Sequence, residues 1–140
     1  MGRVTVDEPW AKHTFRHWQA IADDVDTPGF LRVAAYAYAH AAPNGHVPTW
    51  EVDLTAALER VDKATGELGP TPVGTIINWK RKAVRHGLLH PDTWKDCLVL
   101  PDGVVMGLRV AGSPDAGCGT CRRPTRRRGV RVRFPHPTQA

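Results

Sequence analysis

The sequence of 140 residues lacks the features of a membrane-bound or secreted chain. No apolar run approaches the ~18 residues that a membrane-spanning helix needs. The first ten residues, MGRVTVDEPW, do not have the charged-then-apolar order of a secretory signal. Val6 stands where the N-myristoylation pattern requires Ser or Thr. We therefore expect a cytoplasmic protein with no membrane partner.

Residues that could form a catalytic centre are also scarce. Ser113 is the only serine, no nucleophile elbow surrounds it, and no glycine-rich loop is suited to hold a phosphate. His13 and His17 have a spacing that can hold a metal ion, but their neighbours Phe15 and Trp18 favour a packed helix. We expect no enzyme and no small-molecule substrate.

Acidic residues are missing from two stretches, and basic charge is concentrated in both. The chain has 19 Lys and Arg, 14 Asp and Glu, and a net charge of +5. Residues 116–140 contain seven arginines and no acid, which leaves 12 basic against 14 acidic residues in 1–115. The second stretch, 71–91, has four basic residues and no acid. Basic regions on a near-neutral body indicate nucleic acid or another polyanion as partner.

The apolar pattern and the turn residues predict a mainly helical protein. The first expected helix covers 7–22 and begins near Asp7, Glu8 and Pro9, and the second covers 30–41 and is followed by the turn Pro43-Asn44-Gly45. A connector or β-bridge is expected at His46–Pro48. A third helix should run from a Thr49 cap to about Val61, and a polar loop should follow over 62–70.

A further helix is predicted from Pro72 to about His86, with Thr71 as its N-cap and Gly87 after its end. Its apolar face comprises Ile76, Trp79, Ala83 and Gly87, and its basic residues are Lys80, Arg81, Lys82 and Arg85. After it, Leu98–Leu100 is expected to pair with Val104–Val110 across Pro101-Asp102-Gly103.

A basic helix followed by a β-hairpin is typical of a winged helix-turn-helix that binds DNA. The predicted fold class is mainly α with a small β-hairpin wing. The expected organisation is an accessory helix in 1–27, a winged helix-turn-helix domain in 28–112 and a basic, cysteine-containing tail in 113–140.

The helix over 72–86 would then enter the major groove of double-stranded DNA. Asn78 is suited to pair with adenine, and Thr75 and Arg85 to reach bases or phosphates. We expect Lys80, Arg81 and Lys82 to contact phosphates, which gives affinity without sequence information. The alternative is a solvated amphipathic helix whose cations only keep the protein soluble.

Residues 28–101 resemble actinobacterial and actinophage helix-turn-helix proteins. The resemblance lies in Asn44-Gly45-His46-Val47, in the run DKATGELGPTPVGTIINWKRKAVRHGLL and in CLVLP. It implies a small winged-helix domain of a phage or mobile element, whose reading residues here would be Thr71, Thr75, Asn78, Arg81, Lys82 and Arg85. The relatives start this helix with arginines, whereas this chain has Val73-Gly74-Thr75, so we expect weaker base contacts from the first half of the helix.

A Cys118-Gly-Thr-Cys121 pair is the usual first half of a structural zinc site. Cys97 is the only other cysteine, and the fourth ligand would be His90, with His86 and His136 as further candidates. No other cofactor is expected. Three alternatives stay open: a redox pair, one zinc shared by two chains, and thiols that bind nothing.

The arginines of the tail are suited to bind phosphate or to enter a narrow minor groove. The expected DNA-contacting residues there are Arg122, Arg123, Arg126, Arg127 and Arg128. A disordered solubilising tail, RNA and an acidic protein surface are the competing interpretations.

Taken together, the sequence predicts a double-stranded DNA-binding protein, either a transcriptional regulator or a replication or partition factor. A homodimer is plausible, because many such domains read two half-sites. The rival hypothesis is an adaptor that docks on host transcription or replication machinery through an exposed aromatic helix with Trp10 and Trp18.

Overall fold

A computed structural model describes residues 13–102 of the chain. The described residues form four helices, α1 (Phe15–Asp23), α2 (Gly29–His40), α3 (Glu51–Ala57) and α4 (Val73–Arg85), and four short strands, β1 (His46–Pro48), β2 (Arg60–Val61), β3 (Leu68–Gly69) and β4 (Cys97–Val99). The strands make two antiparallel two-stranded sheets, β1 with β4 and β2 with β3. The described part is thus a small α/β structure, mainly helical. No helix within 13–102 is long and apolar enough to cross a membrane.

Helix α1 begins later than the sequence suggested. Thr14 is extended and its side-chain oxygen accepts a hydrogen bond from the His17 N–H at 3.1 Å, so the helix begins at Phe15. A continuous helix from residue 7 is therefore wrong, although residues 7–12 themselves lie outside the described range. Trp18 of α1 packs on Tyr38 of α2, with ring centroids 4.8 Å apart.

Helix α2 is the centre of the core, packed between α1 and α4. Most of its buried residues have small side chains, and the buried apolar residues are Val33, Ala34, Ala35, Ala37 and Ala39. At its start, Gly29 lies against the Trp79 indole, which occupies the space that a Cβ at position 29 would need. The missing side chain lets α2 and α4 approach closely.

The segment His46–Pro48, expected as a connector or bridge, is a strand. It pairs with β4 in the register His46 to Val99, Val47 to Leu98 and Pro48 to Cys97. The pairing continues beyond β1, since the Thr49 N–H donates to the Asp96 carbonyl oxygen at 3.2 Å. The partner expected for Leu98–Leu100, residues 104–110, lies outside the described range.

Because the chain is still extended at Trp50, α3 begins at Glu51 with Trp50 as its N-cap, and the predicted Thr49 cap is wrong. The helix also ends at Ala57 and not at Val61. The expected polar loop is a β-hairpin instead, with Arg60–Val61 paired to Leu68–Gly69.

Helix α4 confirms the prediction for this segment to within one residue, with Pro72 at the N-cap position. At its end, the Leu88 N–H donates to the Ala83 carbonyl oxygen (2.9 Å) and the Gly87 N–H to that of Val84 (3.0 Å). This is a Schellman motif, and Gly87 supplies the positive φ of 75° that it requires. The chain then turns back, and Leu89 enters the core.

The connection from α3 to α4 runs over 58–72 and contains the β2–β3 hairpin. A helix-turn-helix joins its two helices through a turn of about three or four residues. The mainly helical content agrees with the expected fold class, but this connection is much longer than such a turn, so the winged helix-turn-helix stays a prediction. The expected accessory segment 1–27 is described only from residue 13, and the tail 113–140 lies outside the described range.

Candidate nucleic-acid interface

The outward face of α4 carries Asn78, Lys82 and Arg85, all exposed, with Arg81 exposed on one flank. These positions follow the three- and four-residue spacing of one helix face. Residues 13–102 contain nine Lys and Arg and eleven Asp and Glu, so this surface is basic although the described part is not. The predicted helix thus presents three of its four cations to solvent.

These three cations have no internal counter-charge among the described residues. Within 13–102 Lys80 forms an ion pair with Glu51, and His90 Nδ1 lies 3.7 Å from Asp92 Oδ2; neither contact involves Arg81, Lys82 or Arg85. An unpaired, hydrated cation on a rigid helix is available to an external anion at little cost.

Helix α2 supports this face from one side through Phe30. The Lys82 ammonium lies 4.7 Å from the centroid of the Phe30 ring, a cation–π distance. The His86 ring stacks on the same phenyl ring with centroids 5.1 Å apart. The basic face is therefore positioned by packing between two helices, and not by α4 alone.

Lys80, which we expected to contact phosphate, points inward instead. Only 4% of the residue is exposed, and its Nζ donates to Glu51 Oε2 at 3.0 Å and to the Trp94 carbonyl oxygen at 2.6 Å. Burial lowers the pKa of Lys80, and the hydrogen bond and charge of Glu51 oppose that shift. Lys80 joins α4 to α3 and to the segment before β4, so its predicted DNA contact is wrong.

Thr71 is likewise a structural residue. It is fully buried, its hydroxyl donates to the Leu58 carbonyl oxygen, and its N–H donates to the Thr55 carbonyl oxygen at 3.0 Å. Thr71 thus joins the end of the α3–α4 connection to its beginning. It does not cap α4 and is not exposed to solvent, so the predicted N-cap and the predicted DNA contact of Thr71 are both wrong. Thr75, by contrast, is half-buried in the first turn of α4, at the edge of the outward face.

A cleft of about 410 Å³ lies beside the basic face, between α4 and residues 91–95. Its α4 wall contains Ile77, Arg81 and Val84, and Trp94 and Lys95 line the opposite wall. The Lys80–Glu51 pair also lines it. Trp94 is 59% exposed, which is unusual for so large an apolar side chain.

The predicted zinc ligands within the described range are Cys97 and His90, with His86 as a further candidate; His86 stacks on Phe30, and Cys97 and His90 also have other neighbours. Cys97 is fully buried, with its Sγ 3.4 Å from His46 Nδ1. His90 Nδ1 accepts a hydrogen bond from the Asp92 N–H at 2.9 Å. No group of three metal-ligating side chains occurs within 13–102. His46 was not singled out from the sequence, because only the β1–β4 pairing brings it to Cys97.

The remaining predicted ligands, Cys118, Cys121 and His136, lie outside the described residues, as do all the tail arginines. The zinc site and the basic arm therefore stay predictions. No family model, no curated protein and no solved structure matches the chain.

Proposed function

We propose that the protein binds double-stranded DNA by placing the outward face of α4 in the major groove. The observation that carries the proposal is the exposed set Asn78, Lys82 and Arg85 on one face of a packed helix, with no carboxylate paired to either cation within 13–102. An α-helix with side chains is about 10–12 Å across, close to the ~12 Å width of the groove.

Each residue on this face has a role that its chemistry suits. Asn78 can donate to and accept from the major-groove edge of adenine, and Arg85 can donate two hydrogen bonds to guanine. Lys82, held near Phe30, is suited to a phosphate. Lys80 and Thr71 are removed from the interface that the sequence suggested, because both are buried.

The proposed cellular role is transcriptional regulation, replication or partition. This part of the proposal rests on the resemblance to phage and mobile-element proteins. The arginine-rich tail would add affinity that is independent of sequence. A homodimer would present two copies of α4 to two half-sites.

The test is a fluorescence-anisotropy titration of the full-length chain against random duplex and fragments of its own locus, at two salt concentrations. Lys82→Ala with Arg85→Ala should weaken binding at least tenfold at low salt, reduce the salt slope by about one through the lost Lys82–phosphate contact, and reduce the preference for the best fragment through the lost Arg85–base contact. Arg60→Ala with Lys63→Ala is the matched control, since it removes two exposed cations from the β2–β3 hairpin region. Equal losses in the two double variants would contradict the proposal, as would absence of wild-type binding at low salt.

Absence of binding would favour the adaptor hypothesis. That hypothesis requires an exposed aromatic helix, yet Trp18 packs on Tyr38 in the described part of the chain. Asn78→Ala provides a finer test, because it should reduce the preference for the best fragment more than it reduces binding to random duplex.

A further inference from the structure

The cleft between α4 and residues 91–95 has a built geometry. Lys80 reaches across its base from α4 and bonds both Glu51 and the Trp94 carbonyl oxygen. The Glu51 N–H in turn donates to the Lys95 carbonyl oxygen at 3.1 Å. Trp94 and Lys95 are thus held beside α4 by bonds from two helices.

Charge on the lining of this cleft is predominantly positive. The lining contains Lys80, Arg81 and Lys95 and a single acid, Glu51, whose carboxylate is bonded to Lys80. Neither Arg81 nor Lys95 has an ion pair within the described residues. The walls therefore present two unpaired cations to whatever occupies the cleft.

Acids do occur in the same segment, but they are not part of the lining. Asp92 is engaged with His90, its Oδ2 3.7 Å from the His90 Nδ1. Asp96 is half-buried beside the β1–β4 pairing. The exposed residues of the outer wall are Pro91, Trp94 and Lys95, so this wall combines apolar rings with a cation.

The position of the cleft relative to the outward face identifies its occupant. Ile77, Arg81 and Val84 form the stripe of α4 next to Asn78 and Arg85. A helix that fills the major groove is bordered on both sides by sugar–phosphate backbone, since the groove is barely wider than the helix. With α4 in the groove as proposed above, one backbone runs along this stripe.

We propose that the cleft holds the sugar–phosphate backbone of one DNA strand, with Arg81 and Lys95 bound to phosphates from opposite walls and Trp94 packed on the sugars. This inference rests on the proposed function and adds a second contact to it. Residues 91–95 then act as a clamp that fixes how deeply and at what angle α4 enters the groove.

Lys95→Ala in the full-length protein is the decisive variant, with Lys63→Ala as control because it removes one exposed cation from the α3–α4 connection. In anisotropy titrations over a salt series on the best duplex, Lys95→Ala should weaken binding about fivefold and reduce the salt slope by about one. Lys63→Ala should change neither quantity. Thermal unfolding of each variant confirms that the fold is retained.

Trp94→Ala supplies an independent measurement. A ring packed on sugars should contribute affinity that salt does not alter, so the variant should bind several-fold more weakly with an unchanged slope. Suppose that the wild-type protein binds duplex in a salt-sensitive way and that Lys95→Ala and Trp94→Ala each bind the same duplex as tightly as the wild type. The clamp is then wrong, and the proposed α4 interface is not affected. If Trp94→Ala weakens binding to single strands alone, the duplex occupant is also wrong. No wild-type binding would reject the proposed function itself.

Discussion

Helix α4 carries cations on two sides, and the two sides differ in what surrounds the charge. On the inner side, Lys80 is 4% exposed and bonded to Glu51 and to the Trp94 carbonyl oxygen. On the outer side, Lys82 and Arg85 are exposed and have no ion pair within the described residues. Lys80 thus holds three segments together, whereas the outer cations are free to act on a partner.

This difference predicts that the two sides respond to different measurements. A substitution that breaks the Lys80–Glu51 pair on the inner side should lower the free energy of unfolding, because it leaves a buried charge without its partner. A change to Lys82 or Arg85 should alter DNA affinity with little effect on unfolding, because exposed cations contribute little to stability.

The largest effect is expected when the partner of Lys80 loses its charge. Glu51→Gln leaves the buried ammonium without a carboxylate, and we expect it to lower the free energy of unfolding by about 2–4 kcal/mol. The estimate is below the full cost for a buried pair, since the Glu51 side chain is 20% exposed. Urea unfolding monitored by circular dichroism measures it.

Asp53→Asn is the matched control for this change. Asp53 also lies in the first turn of α3, so both variants remove the same favourable interaction with the helix dipole. Of these two acids, Glu51 is the one bonded to Lys80. Equal destabilisation by the two variants would show that the helix end, and not the buried pair, accounts for the loss.

The contact between α2 and the inner side of α4 gives the next prediction. Gly29→Ala would place a Cβ in the space of the Trp79 indole, so the ring or the helix must move. Overpacking of this kind costs about 1–3 kcal/mol. The same unfolding experiment measures it, and a loss of Trp79 packing should also change the near-ultraviolet circular dichroism spectrum.

Gly74→Ala is the control on the exposed side of α4. A Cβ there meets no atom within 4 Å. Alanine favours the helix over glycine, so this variant should raise the free energy of unfolding by up to about 1 kcal/mol. If Gly29→Ala also stabilised the protein, the close approach of α2 and α4 would not be real.

The sequence was sufficient for α4 because local chemistry determines this helix. Ile76 and Ala83 recur at helical spacing and both are buried, and Gly87 ends the helix through its positive φ. The exposure of Arg81, Lys82 and Arg85 followed from the same pattern. Helix α2 was predicted almost to the residue for a similar reason, since a turn sequence precedes it and Pro43-Asn44-Gly45 follows it.

Lys80 and Thr71 were misassigned because their residue types are usually exposed. Lys80 lies four positions after Ile76 and three before Ala83, which places it on the buried face, but the sequence could not identify its partner. Glu51 is 29 residues away and Trp94 is 14 residues away. Thr71 similarly bonds to Leu58 across the α3–α4 connection.

Strands were the least predictable elements. His46–Pro48 has only three residues, and its partner Cys97–Val99 is about fifty positions later in the chain. No local sequence pattern therefore predicts the pairing of these two strands. The β2–β3 hairpin involves two residues on each side within a polar run. Its backbone hydrogen bonds, and not buried apolar side chains, define it. The cleft depends on non-local contacts of the same kind, which explains why only Lys80 and Arg81 of its lining were expected at a site.

The smallest expected effect is the pH dependence of the free energy of unfolding that arises from Lys80, the cation on the inner side of α4. Burial lowers the pKa of Lys80 below the ordinary lysine value of about 10.4, so the folded state releases this proton at lower pH than the unfolded chain does. Between the two values the unfolded state binds more protons, and stability from this group must rise with pH. The wild-type protein should therefore gain stability relative to Lys80→Met as pH increases toward 10.4. Urea unfolding of both proteins at several pH values above neutrality measures the difference, in which the titration of groups that do not interact with Lys80 cancels. A constant difference across that range would mean that Lys80 titrates alike in both states and is not held as the buried, bonded cation described here.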